Sequence, residues 1–195
     1  MIHDKGYLYL DIKPDNIFVL NGTLEIVQLF DFDSLIPIDK KDEIGNYRLS
    51  YSKGFAPLEQ RMGQFKNIDK YTDVFGVGAL LFYLIFGKAP YALECDITAK
   101  YDYSISKYAM DEYKDKLCYA LNTFFHHTLP SYYPDRYQDL EATIAGLSEI
   151  EKYADLSIPY ILDSYISSRD MIFGRDDELN QLNLWISNDK KKCMF

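Results

Sequence analysis

Apolar positions come in short runs early in this chain and at helical spacing later. Ile17-Phe18-Val19-Leu20 and the stretch 24–30 flank Asn21-Gly22-Thr23, which predicts two short strands around a glycine-containing turn. From 31 to 53 the pattern turns polar and irregular and reads as one long loop; loops of that length in compact domains are usually functional or disordered. The longest apolar run, VFGVGALLFYLIFG (74–87), predicts a buried helix over 74–86, with Asp73 near its start and Gly87 closing it. It is too short to span a bilayer. Residues 94–113 are rich in Tyr and Asp with weak periodicity, a loop with short helices. Helical spacing returns in 114–128 (Leu117, Leu121, Phe124, Phe125) and in 139–153 (Leu140, Ile144, Leu147, Ile150). Residues 157–171 read as a linker, and 177–186 as an amphipathic helix with Leu179, Leu182 and Trp185 on one face. No internal repeat or low-complexity tract is present.

Composition narrows the class. A chain of 195 residues, 48% hydrophobic and 16% aromatic, is long and apolar enough for one packed domain with or without an appendage. A formal charge of −9 argues against nucleic acid and anionic membrane as partners. Cys95, Cys118 and Cys193 are widely spaced with no CxxC pair, which suits a reducing cytosol and a cytoplasmic location. The opening MIHDKGYLYLD lacks the apolar core of a signal peptide, and the closing KKKCMF is not a prenylation box.

The candidate chemistry lies in DIKPDN, 11–16. Transfer of a phosphoryl group from ATP to a hydroxyl needs a carboxylate facing that hydroxyl, a cation near the transferred phosphate and oxygen ligands for magnesium. Asp11, Lys13 and Asn16 supply these in turn, although alone Asp11 and Asn16 would equally suit an ordinary turn and Lys13 a solvated surface. The stretch resembles the catalytic loop of eukaryotic-like, bacterial-type Ser/Thr protein kinases, H-R-D-x-K-P-x-N, with Tyr9 and Leu10 in the His and Arg places. Further elements follow in family order. Asp31-Phe32-Asp33 resembles D-F-G, and SKGFAPLEQ (52–60) resembles the end of the activation segment. Then DVFGVGALLFYLIFGKAPY resembles the central helix with Asp73 at its head, and YPDRYQDLEATIAGL the closing helices with Arg136. The resemblance covers roughly 1–153.

That resemblance implies roles. Asp11 is the base, Lys13 contacts the transferred phosphate, and Asn16 and Asp31 hold Mg²⁺. Ser52 positions both Asp11 and Lys13. Glu59 and Arg136 form a buried structural ion pair, and Asp73 accepts hydrogen bonds from the catalytic-loop backbone. The implied cofactors are ATP and Mg²⁺ and the implied substrate is a protein Ser or Thr; Lys13, two residues after Asp11, favours these over Tyr. His126-His127, with no third ligand at sensible spacing, reads as a pair of helix-end histidines rather than a metal site. The tyrosines between 101 and 137 read as packing and surface.

Several features depart from the family. Leu10 cannot pair with a phosphate on the activation segment as the family's Arg does. Asp33 replaces Gly and adds a carboxylate, as in small-molecule kinases, a minor alternative that lacks SKGFAPLEQ. No glycine-rich phosphate loop occurs anywhere in the chain. The expected fold is therefore α+β, mainly α: a kinase C-lobe over 1–155 with the N-lobe missing. A linker follows over 156–172. The piece as given is expected to bind Mg·ATP weakly and to turn over far below the roughly 1–100 per second usual for kinases. The last segment, 173–195, contains FGRDDELNQLNLW, which resembles the opening of a signal-transduction ATPase domain, here truncated; the competing reading is a plain amphipathic helix packed on the lobe. An attached or partner ATPase module is thus an expected partner. The alternative function is a non-catalytic kinase-like module regulating that ATPase, and a functionless remnant is the third reading.

Overall fold

The computed structural model describes residues 2–19, 27–40, 51–90 and 113–154. The chain divides into two units, 1–158 and 159–195, and every described residue lies in the first. The expected linker (157–171), the amphipathic helix (177–186), the turn at 21–23 and most of 94–113 lie outside the described residues.

Two small antiparallel sheets and four helices make up the described fold, a mixed architecture dominated by helix. Strand β1 (Tyr7–Leu8) pairs with β4 (Ile36–Pro37), and β2 (Ile17–Val19) with β3 (Val27–Leu29). The second pair falls where short apolar runs flank Asn21-Gly22-Thr23, with Ile17 opposite Leu29 and Val19 opposite Val27. The first pair was not legible: 31–53 reads as loop, yet it carries β4. Two residues, one of them Pro, are too few to show a period of two. What defines β4 is its partner, extended by the bond from Ile38 N to Gly6 O (2.8 Å).

Helix α1 is Leu58–Arg61, α2 Lys70–Phe86, α3 Lys114–His126 and α4 Leu140–Glu151. Helix α2 starts four residues before its apolar run. Asp69 caps it by accepting from Lys70 N (2.8 Å), while Thr72 Oγ1 accepts from Asp69 N (3.2 Å), a reciprocal capping box that carries the polar turn into the helix. Asp73 is therefore an interior residue of the first turn. Gly87 ends the helix at φ +67. Helix α4 starts at its own cap, Asp139, which accepts from Ala142 N (2.9 Å).

The main core joins Phe75, Ala79 and Phe82 of α2 to Leu117, Leu121, Phe124 and Phe125 of α3 and Ile150 of α4. The apolar stripe read for α3 is the buried one. In α4 the stripe holds in part: Ile150 is buried and Leu147 packs on the core, but Ile144 is 46% exposed and Thr143 is buried instead. A Cβ at Gly146 would come within 2.9 Å of the Phe124 ring, so α4 turns its smallest residue toward α3, which carries Ile144 out to solvent. Another glycine seats the candidate site. At Gly76 a Cβ would meet Ile12 Cβ at 2.8 Å, so the loop after β1 lies directly on α2. A second, smaller cluster packs Leu8, Leu10, Ile36 and Ile68 together.

Candidate active site

The loop between β1 and β2 folds back on one carboxylate. Pro14 opens a 3-10 turn, Pro14–Asn16, and its fixed φ is suited to that first position. The turn returns Asn16 to the loop's start. Asn16 Nδ2 donates to Asp11 Oδ2 (2.8 Å) and to Asp11 O (2.9 Å). Lys13 Nζ donates to the same Oδ2 (2.8 Å), and Ser52 Oγ donates to Oδ1 (3.2 Å). Asp11, Lys13, Asn16 and Ser52 thus meet on a single buried side chain, 5% exposed. One detail differs from expectation: Ser52 bonds Asp11 alone, because the lysine is drawn to the carboxylate's other oxygen.

The backbone ahead of Asp11 is held from below. Asp73 Oδ2 accepts from Tyr9 N (2.9 Å) and Oδ1 from Leu10 N (2.7 Å). His3 Nε2 lies 2.7 Å from Asp73 Oδ2, and its buried Nδ1 has no hydrogen-bond partner among the described residues. Leu10 sits at φ +63, a left-handed conformation rare for a leucine, and its side chain is buried in the smaller apolar cluster. Gln60 Nε2 donates to Leu10 O (2.8 Å).

Asp31 is tied to this loop through its neighbours. Phe30 N donates to Asn16 O (2.8 Å), and the Tyr9 hydroxyl donates to Phe30 O. The Phe32 ring meets the Tyr9 ring edge to face, with centroids 5.9 Å apart. Burial pushes the Tyr9 hydroxyl up to about 12, and the Asp11, Asp31 and Asp73 carboxylates push the same way. Asp31 itself is exposed at φ +58, and its Oδ1 accepts from Asp33 N (3.3 Å). Among the described residues no three His, Cys, Asp or Glu side chains gather around one point. Side-chain oxygens that a cation could use belong to Asp31, to its exposed neighbour Asp33 and to Asn16, whose Nδ2 is held by Asp11. Hard oxygens of this kind suit Mg²⁺, which commonly takes one or two carboxylates and fills its shell with water and phosphate oxygens.

Behind the site, Arg136 and Glu59 form a two-pronged pair, Nη1 to Oε1 at 2.7 Å and Nη2 to Oε2 at 3.1 Å. Thr72 Oγ1 also donates to Glu59 Oε1 (3.2 Å), and Arg136 Nε donates to Pro130 O (2.7 Å). The guanidinium carbon lies 5.1 Å over the Phe75 ring. His126 is the last residue of α3 and His127 caps it, its ring stacked on Tyr137 at 5.1 Å.

Sequence reasoning passed over three residues at this site. Tyr9 was noted only as a replacement, and His3 carries no pattern at all. Gln60 did leave a signal, as an amide beside Glu59 in a segment already singled out.

The family model described as protein kinase domain matches residues 1–140. A Wee1-like protein kinase of Oryza sativa subsp. japonica is 36% identical over 86 residues, 44% of this chain and 15% of that protein. The Wee1-like protein kinase of Arabidopsis thaliana is 34% identical over 88 residues, 44% of this chain and 16% of that protein. Serine/threonine-protein kinase MPS1 of Saccharomyces cerevisiae is 26% identical over 103 residues, 47% of this chain and 13% of that protein. The chain spans a small part, 13–16%, of the length of these relatives.

Proposed function

The chain belongs to the protein kinase domain family, and we propose that it serves transfer of the γ-phosphoryl group of ATP to serine or threonine of a protein substrate. On this reading the described residues belong to the larger, helical lobe of that domain, which the predominance of helix supports. One observation carries the reading: Lys13, Asn16 and Ser52 converge on the Asp11 carboxylate. A scaffold has no need of that convergence.

The roles follow from the bonds. Asp11 Oδ2 takes two hydrogen bonds and Oδ1 takes one, so Oδ1 retains a lone pair for an incoming hydroxyl. That hydroxyl gives its proton to Asp11 as its oxygen bonds to the γ-phosphorus; the bond to the bridging oxygen breaks and ADP leaves. Lys13, held beside Asp11, stabilises the charge on the transferred group. Ser52 keeps the carboxylate turned to the substrate. Asp31 and Asn16 would hold Mg²⁺, which would neutralise charge on the phosphate oxygens. Lys13 and the serine/threonine name of the yeast relative support the choice of hydroxyl amino acid.

A second reading, a non-catalytic module regulating an attached ATPase, draws on Leu10 and Asp33. Leu10 is packed in apolar core where a phosphate-pairing Arg is usual, and Asp33 is exposed beside Asp31. The net charge of −9 supports a protein rather than a nucleic acid as partner, and the widely spaced cysteines support a cytoplasmic setting. Among the described residues no helix is long and apolar enough to cross a membrane.

Calorimetry of ATP binding to the protein as its cells make it separates the two readings. The catalytic reading expects binding that requires Mg²⁺ and is lost in Asp31→Asn. Binding indifferent to both would favour the regulatory module.

A further inference from the structure

Leu10 is the residue next to Asp11, and its backbone is held in a conformation it would not choose. A left-handed φ is costly for a non-glycine residue and persists only where its surroundings over-determine it. Here three contacts do so. Asp73 Oδ1 accepts from Leu10 N (2.7 Å), Gln60 Nε2 donates to Leu10 O (2.8 Å), and the leucine side chain is buried against Leu8, Ile36 and Ile68. The carbonyl of residue 10 belongs to the peptide unit that leads into Asp11. Whatever fixes that carbonyl fixes the plane from which the Asp11 side chain departs.

We infer that Gln60 is a positioning residue, aiming the Asp11 carboxylate by pinning the left-handed Leu10 carbonyl. Its placement suits the task. Gln60 is 4% exposed and sits on α1 beside Glu59, which Arg136 and Thr72 hold in turn. The amide therefore comes from an anchored element. It also joins the segment after Ser52 to the loop before Asp11, so two segments that touch the carboxylate are registered against each other. Without Gln60, only the Asp73 bond and the leucine's packing oppose relaxation of residue 10 toward an ordinary φ. The bonds of Asp11 to Lys13 and Asn16 would then compete with that relaxation instead of being set by the backbone.

The inference rests on the reading of Asp11 as the base, and its test keeps the two apart. Gln60→Leu and Gln60→Met both remove the donor to the Leu10 carbonyl while keeping an apolar side chain of similar volume. Each variant is compared with the wild-type protein in two ways. The side-chain amide cross-peaks of Asn16, which report its bonds to Asp11, should move in both variants. The kcat should fall about 10–100-fold with little change in the KM for ATP, as expected for a misplaced group that binds neither substrate. Unmoved Asn16 peaks overturn the inference whatever the kinetics show. Moved peaks with an unchanged kcat overturn it as well. A wild-type protein with no phosphoryl transfer, but with moved peaks in the variants, contradicts the proposed function and leaves the backbone clamp standing. Should neither variant fold, a scalar coupling across the hydrogen bond from Gln60 Nε2 to the Leu10 carbonyl carbon in the wild type decides: its presence supports the bond, and its absence removes it.

Discussion

Tyr9 joins three parts of the site: its N–H meets Asp73, its hydroxyl meets Phe30 O and its ring meets Phe32. Burial and three nearby carboxylates raise its hydroxyl to about 12, and burial raises Tyr71, stacked on Tyr133, to about 12 as well. In both, the folded state keeps a proton that the unfolded chain loses near 10. Their contribution is whole below about pH 10 and is lost as pH climbs to about 12, because there the folded state binds more protons. Urea unfolding across that window should show stability falling as pH rises, and Tyr9→Phe should flatten the fall; a pH-independent midpoint would contradict the assignment. Leu10 makes a second prediction at this scale. Its side chain lies in the apolar cluster and cannot meet a phosphate, and Ser52 already donates to Asp11. Phosphatase treatment should therefore leave activity unchanged. Loss of activity would show that phosphorylation at Ser50, Tyr51 or Ser52 is required.

Elements are locked together by Glu59 and Arg136. Glu59 sits on α1, Arg136 follows the 3-10 turn Tyr133–Asp135, and Thr72 and Phe75 bring in α2. Both ionic side chains are buried, so Arg136→Met would leave Glu59 charged and unpaired, at a cost of about 3–5 kcal/mol. Denaturant unfolding reads this directly, and a loss near that of an ordinary surface change would contradict it. The elements were legible in proportion to their length. The spacing of Leu117, Leu121, Phe124 and Phe125 gave α3 its buried face, whereas β4 left no period in two residues. The start of α2 was hidden because a capping box, not an apolar run, sets it. On α4, Leu147 and Ile150 do face the core, but Ile144 does not, because Gly146, a residue with no side chain, sets which side approaches Phe124.

Across the whole molecule, Asp11 is served by residues far apart in sequence: Ser52 forty-one positions on and Asp73 behind the loop. The order of motifs brought Asp11, Lys13, Asn16, Asp31, Ser52, Glu59, Asp73 and Arg136 to notice before any coordinates. Order cannot reveal which oxygen each partner takes, nor that a left-handed Leu10 needs Gln60. Those depend on backbone geometry that residue type does not encode. The central claim is that this carboxylate is the base of a phosphoryl transfer. It is tested most directly by measuring transfer from ATP to protein Ser/Thr by the protein as its cells make it, wild type against Asp11→Asn. The account predicts a rate lower by about 10²–10⁴ in the variant, the usual contribution of a positioned base, with Mg·ATP binding kept. An equal rate in the two proteins would contradict it.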